Sequence, residues 1–419
     1  MRIKRIIFSV LVLFMVSLPF GLSLAEVYTS GFLQGLYGGG LDRGNPTTSD
    51  YTTSESRLQL RLESYSDATE FFGRVDFVYD DYNESSMDIE LREGFAKFRM
   101  FNFLDFKIGR QIITWGTGDL IFINDVFAKD YQSFFIGRDD QYLKAPQNAL
   151  RVELYTKPGN FAVVYTPRFT PNRIPAGRRL SYFNPLMGSI VGGFEPYFEG
   201  RMPESKFENG EIAARFSRYI GSADIALYAY TGFYKNPVGM DMSDSLAYYP
   251  DLDVYGASLR MPMFGGIAWT EGGYFYSRVD KDGDNPFVPN TKISSMIGFE
   301  RQFGANFTAN VQYQNEYMID YDVYTSGLMP GMTAADEYYH LLTTRLTQRL
   351  KMETLTLSAF VFYSPNEEDM YGRFAVDYKY TDELTLTLGA NIFEGNYDYT
   401  DFGTFKKNDN VYLKMTYGY

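Results

Sequence analysis

The sequence predicts an all-β protein: a transmembrane, antiparallel, up-and-down β-barrel of about 18 strands (16–18), with short turns at one end and long loops at the other. Three observations carry that prediction. The chain breaks into segments that alternate apolar and polar residues with the two-residue period of a strand. The connections between these segments alternate, short and long, along the whole chain. The last segment, Asn408 to Tyr419, is itself an amphipathic strand whose free edge needs a partner, and the first strand is the economical one.

Composition fits this fold class. Aromatic residues make up 18% of the 419 residues, with 36 Tyr and 36 Phe but only 2 Trp. Such enrichment suits aromatic girdles at two membrane–water interfaces. The mean hydropathy of −0.26 is too polar for a bundle of membrane-spanning helices. The absence of cysteine excludes disulfides, thiolate metal sites and covalent haem attachment on this chain. At the N-terminus, Arg2, Lys4 and Arg5 precede an apolar run from Ile6 to Leu18, and Ser23-Leu24-Ala25 forms a small-x-small site. These features predict a cleaved signal peptide over 1–25 and a mature barrel over 26–419. Loss of the three cations takes the formal charge from −13 to −16.

Strands are expected at 27–37, 55–66, 70–80, 88–100, 103–112, 148–156, 159–167, 207–218, 222–232, 253–262, 265–279, 291–302, 305–317, 336–350, 353–364, 368–379, 383–394 and 408–419. Short connections follow the even-numbered strands and longer ones follow the odd. An outer-membrane barrel has short periplasmic turns and longer extracellular loops, so an even count puts both chain ends in the periplasm. No repeat of blade length supports a propeller. Within strands, Leu58, Leu60 and Leu62 alternate with Arg57, Gln59, Arg61 and Glu63, and Leu150, Val152 and Leu154 with Arg151 and Glu153. A charge facing lipid at mid-membrane costs about 2–4 kcal/mol, so the charged faces point inward and the tube is wet inside.

That parity makes Arg57, Arg61, Arg74, Lys107, Arg151, Arg215, Arg345, Arg349, Arg373 and Lys414 lumen residues, with Arg92, Lys292 and Lys379. Inward carboxylates are Glu63, Asp76, Asp105, Glu153, Glu211, Glu300 and Asp377. A cation-rich lumen in an acidic protein points to a pore that favours anions. The alternative is that these charges pair across strands and fill the tube.

Two outer loops are too long for simple connectors. Segment 113–147 carries Leu120, Ile121, Phe122, Ile123, Val126, Phe127, Phe134 and Phe135, too apolar for a solvated loop. It reads as an in-folded constriction or partial plug, or else as a lid over neighbouring loops, with a short helix over Asp125 to Tyr131 capped by Asn124 or Asp125. Segment 168–206 is proline-rich and holds Arg168, Arg173, Arg178, Arg179 and Arg201, suited to guiding anions or binding lipopolysaccharide phosphates, or to internal ion pairs.

Gly109-Arg110-Gln111, with Trp115-Gly116 and Asp119 after it, resembles the GRQ-x-x-x-W-G strand end of Gram-negative outer-membrane porin-like proteins. These include uncharacterised porin-like families and, more distantly, alginate-export barrels. The resemblance covers about ten residues. It implies an outer-membrane barrel with a lumen-directed loop and, through the alginate-export likeness, passage of an anionic polymer. Trp115-Gly116 departs from the more polar continuation expected there. Arg110 is a candidate constriction residue, or an arginine bonding the carbonyls of its own loop.

Catalysis is not expected. His340 is the only histidine and no serine lies beside it in its strand. No metal, cofactor or nucleic-acid motif is present in the sequence. The function that follows is passive diffusion of small, anionic, hydrophilic solutes or an anionic polymer through an outer-membrane channel. The alternative is a scaffold sheathing a partner such as a multihaem cytochrome. Expected partners are outer-membrane lipid and lipopolysaccharide, the permeating solute, the outer-membrane assembly machinery and, as an open possibility, further copies of the chain. The assembly machinery would read Leu413, Met415, Tyr417 and the terminal Tyr419.

Overall fold

The structure is a computed structural model that describes residues 26–419 apart from 43, 48, 83–85, 176, 185–186, 194–199 and 245. The expected signal peptide lies outside the described residues. Eighteen antiparallel strands form one sheet. They are β1 (Val27–Gly40), β2 (Tyr51–Tyr65), β3 (Thr69–Asp80), β4 (Met87–Phe101), β5 (Leu104–Gln111), β6 (Gln147–Tyr155), β7 (Asn160–Thr166), β8 (Glu211–Ile220) and β9 (Ala223–Phe233). They continue as β10 (Asp251–Met263), β11 (Gly266–Ser277), β12 (Lys292–Phe303), β13 (Phe307–Met318), β14 (Tyr338–Leu350), β15 (Leu355–Ser364), β16 (Asp369–Lys379), β17 (Leu384–Gly395) and β18 (Asn410–Gly418). Each pairs with the next in sequence, so every edge but two is satisfied locally.

The remaining two edges meet. β1 pairs with β18 from Phe32↔Gly418 to Gly40↔Asn410, and Gly31 and Tyr419 exchange both backbone hydrogen bonds at 3.1 Å. The barrel is closed, and no open edge is left on this sheet. Tyr419 seals the seam: its hydroxyl donates to the Gln59 carbonyl at 3.1 Å while its ring lies over Gly31, where a side chain would collide.

The eighteen expected strands match the observed ones with boundary shifts of a few residues, because alternation and turn residues both mark them. Turns after even-numbered strands are tight; Gly221 (φ +61°) and Gly304 (φ +62°) take left-handed backbone there. Loops after odd-numbered strands are long, except 365–368. Two of them carry small hairpins, Tyr182–Asn184 with Ser189–Val191 and Gly239–Asp241 with Leu246–Tyr248.

The two faces differ as the alternation demands. Leu58, Leu60, Leu62, Ile108, Leu227, Ile297, Leu388 and Leu413 are exposed on the outside. A continuous apolar belt on this scale needs a non-aqueous surround. Arg57, Gln59, Asp76, Asp105, Ser294, Gln312 and Asn391 are buried inside.

Candidate functional site: a loop across the lumen

Segment 112–146, between β5 and β6, folds into the barrel and touches its inner wall on nearly every side. The strand that launches it explains the turn inward. Gly109 (φ +130°) sits so close to the Gly94 carbonyl that a Cβ would lie 2.3 Å from it. The inward Gln111 amide donates to the Ala149 carbonyl at 3.0 Å. Trp115 then buries against Phe127 and Tyr228. Gly116 (φ +81°) brings the backbone against Glu271 of β11, where a Cβ would lie 2.8 Å from the carboxylate.

Glu271 is the first anchor. Its buried carboxylate accepts from Thr117 N (2.6 Å), Thr117 Oγ1 (2.9 Å), Asn124 N (2.7 Å) and Asn124 Nδ2 (3.0 Å). Four donors replace water around one buried charge, which removes most of its desolvation cost. The next anchor is β13, where Gln312 exchanges two hydrogen bonds with the Asp119 backbone, at 2.7 and 2.8 Å.

The helical turn falls at Tyr131–Phe135, capped by Asp130, rather than over 125–131. The physical reason is that both expected caps are occupied. Asn124 is held by Glu271, and Asp125 accepts from Thr114 Oγ1 and pairs with Lys129. The turn presents Phe134 and Phe135 to Phe362, Tyr371, Phe393 and Phe405, with ring centroids 5.0–6.1 Å apart.

After the turn the loop becomes ionic. Arg138 pairs with Glu55 and, at 3.2 Å, with Asp80. Arg179, from the second long loop, reaches the same Asp80 at 2.7 Å. Tyr142 donates to Asp76 at 3.0 Å, and its ring lies between the guanidinium groups of Arg57 (4.4 Å) and Arg92 (4.7 Å). Asp139 takes Lys414 and accepts from Gln34 at 3.1 Å. Asp140 takes Arg373 at 2.7 Å and Arg345 at 3.5 Å, and Asp119 takes Arg345 at 2.8 Å.

The expected lumen cations therefore divide. Arg57, Arg345, Arg373 and Lys414 face inward and are bound, the last three by aspartates of the loop itself. Arg61 pairs with Glu63, Arg74 with Glu93, and Arg151 with Glu153. Lys107 lies 3.5 Å from the centre of the Phe95 ring, Arg215 is 5.8 Å from that of Tyr228, and Arg349 borders a small cavity with Glu300; none of the three has a carboxylate at ion-pair distance among the described residues. Arg110 is elsewhere. It shares the outward face of Ile108 and donates to the Leu91 carbonyl at 2.6 Å, beside the bulge that Arg92 makes in β4. It serves a carbonyl of the neighbouring strand and does not line the constriction.

Periodicity missed Tyr142, Glu271, Asp119, Asp139 and Asp140. The four on the loop have no strand parity to mark them, and Glu271 lies in the glycine-rich stretch Thr270-Glu271-Gly272-Gly273, where alternation is weak. In the second long loop, Arg173 pairs with Asp130, Arg179 with Asp80, and Arg201 with Asp241 and Asp244. Those arginines are engaged in internal pairs.

No family model matches the chain, and no curated protein matches it. Solved structures do match its fold. Pseudomonas aeruginosa OccK3 (OpdO) superposes with a TM-score of 0.56 at 12% identity, covering 95% of this chain and 97% of that one. Acinetobacter baumannii OccAB3 superposes with a TM-score of 0.54 at 11% identity, covering 94% and 99%. At such identity the likeness is one of fold.

Proposed function

We propose that this chain is an outer-membrane channel for passive diffusion of small hydrophilic solutes, with anions favoured. The observation that carries the reading is the closed barrel with an apolar outside and a polar inside, narrowed by its own loop. Its fold likeness to OccK3 and OccAB3 supports the same reading. A multihaem partner is disfavoured, because segment 112–146 occupies the space that partner would need. A bulky polymer is disfavoured for the same reason.

Anion preference rests on the wall from β4 to β8. There Lys97 stands directly across from Lys107, and Lys107 from Arg151. Like charges opposite one another destabilise a sheet. Lys97 is held by Asp105 at 3.3 Å and Arg151 by Glu153, so the charges this wall keeps are those of Lys107 and Arg215, and that residual positive field lowers the free energy of an anion in a narrow tube. On the far wall the loop's aspartates neutralise Arg345, Arg373 and Lys414, so those cations contribute little net field.

The test is the reversal potential of single channels in a salt gradient. Anion preference is expected, and Lys107→Gln with Arg215→Gln reduces it by about two- to fivefold, whereas Arg345→Gln changes it less. Cation preference in the native protein overturns the charge reading, and absence of conductance overturns the channel.

A further inference from the structure

A cavity of about 600 Å³ opens at the long-loop end of the barrel, between the in-folded loop and the inner wall of β12–β15. Its size falls within the roughly 300–1,000 Å³ usual for small-molecule sites. Channel water alone does not call for such a lining: Phe134, Phe135, Phe362, Phe402 and Phe405 surround it, with Leu120 and Leu341 between them. Phe134 meets Phe362 edge to face, and Phe135–Phe405 and Phe362–Phe402 pack as tilted pairs, which holds these rings in place.

The charged groups lining this cavity are Lys292, Glu316 and Asp401. Lys292 and Glu316 neutralise each other at 2.6 Å. That leaves Asp401, exposed to the cavity beside Tyr339 and without a cation at ion-pair distance among the described residues. Behind it stands a second carboxylate, Asp369, held by Phe402 N at 2.7 Å, whose other oxygen is buried without a partner. Glu367, its carboxyl pushed up to about 7 by burial and by the neighbouring acids, adds a third acidic group nearby. An anion facing aromatic rings, backed by further acidic groups, is complementary to a cation carried on an apolar body.

We propose that this cavity binds an organic cation with an aromatic ring body, its charge on Asp401 and its ring among the phenylalanines. The site needs the folded barrel and its loop, and does not need an open pore, so it stands apart from the conduction reading. It also makes the mouth chemically opposite to the basic wall of β4–β8.

The experiment is equilibrium binding of benzyltriethylammonium to the purified full barrel by calorimetry, with benzenesulfonate and benzyl alcohol as the anionic and neutral counterparts. The cation is expected to bind at least about tenfold more tightly than either. Asp401→Asn is expected to weaken it by about tenfold and Asp401→Glu to restore most of that loss. Phe405→Leu is expected to weaken it by about threefold or more. Arg215→Gln, on the opposite wall, leaves it unchanged. Folding of each variant is checked by circular dichroism before titration. Benzenesulfonate binding as tightly as the cation, or unaltered binding in both Asp401→Asn and Phe405→Leu, overturns the proposal. Bilayer recordings on the same preparation report conduction separately.

Discussion

On the β2–β3 side of the lumen, the in-folded loop meets Glu55, Arg57, Asp76 and Asp80. On the β15–β17 side it meets Phe362, Tyr371 and Phe393. The first contact is a buried network in which Glu55, Arg57, Asp76, Asp80 and Arg138 each have an opposite partner, and Tyr142 fills the space between the guanidinium groups of Arg57 and Arg92. The second is an aromatic cluster with a cavity beside it. Directional bonds fix the loop to one position on the ionic side. Ring packing tolerates small shifts and leaves room for a guest on the aromatic side. The loop is thus pinned by a dense ionic network along one edge and held along the other mainly by rings, with the Arg373–Asp140 pair among them.

That difference predicts unequal responses to mutation. Arg138→Met is expected to have the largest effect, because it leaves Glu55 and Asp80 buried with fewer partners; breaking one member of such a network costs about 3–5 kcal/mol. The loop is expected to leave the wall, seen as a larger single-channel conductance and faster hydrogen exchange over 112–146. Unchanged exchange there would show that the aromatic side alone holds the loop.

Phe135→Ala follows. A buried Phe→Ala change costs about 3–5 kcal/mol in a packed core, and the neighbouring cavity lets this site relax toward or below the lower end. Thermal unfolding is expected to fall by less than in Arg138→Met, with little change in conductance because the ionic edge still holds. A conductance rise equal to that of Arg138→Met would remove the distinction between the two edges.

The smallest effect concerns pH and belongs to the aromatic side. Burial first, and then Asp401, Asp336 and Asp369, push the Glu367 carboxyl from its ordinary 4.5 up to about 7. In the folded protein Glu367 keeps its proton where an unfolded chain has lost it. The charge penalty at this corner is therefore absent below about 4.5, grows as pH rises and is complete above 7. Hydrogen exchange in loop 396–409 is expected to speed up between pH 5 and pH 8 beyond its intrinsic pH dependence, and Glu367→Gln to remove that excess. An excess that survives in Glu367→Gln would place the titration on another group.

How much was legible in the sequence follows from what each feature depends on. Lipid requires one apolar face per strand, and that requirement writes a two-residue period into the chain; Leu384, Leu386 and Leu388 could be assigned outward with no structure in hand. The same parity placed Arg57, Arg345, Arg373 and Lys414 inside. The motif resemblance, not the parity, suggested Arg110 for the constriction; counted from the inward Lys107 the period puts Arg110 outward, and there its side chain answers a carbonyl beside a bulge one strand away.

The sequence by itself determined the strands, the faces, the alternating ends and the apolar excess of segment 113–147, because each is set by local period or composition. Only the tertiary structure decided which cations keep a free charge. Arg345 and Lys107 look alike in their strands, yet Arg345 is neutralised by Asp119 and Asp140, more than two hundred residues away in sequence, while Lys107 faces Lys97 and Arg151. Charge pairing across a lumen depends on three-dimensional distance, and no period in a chain records it.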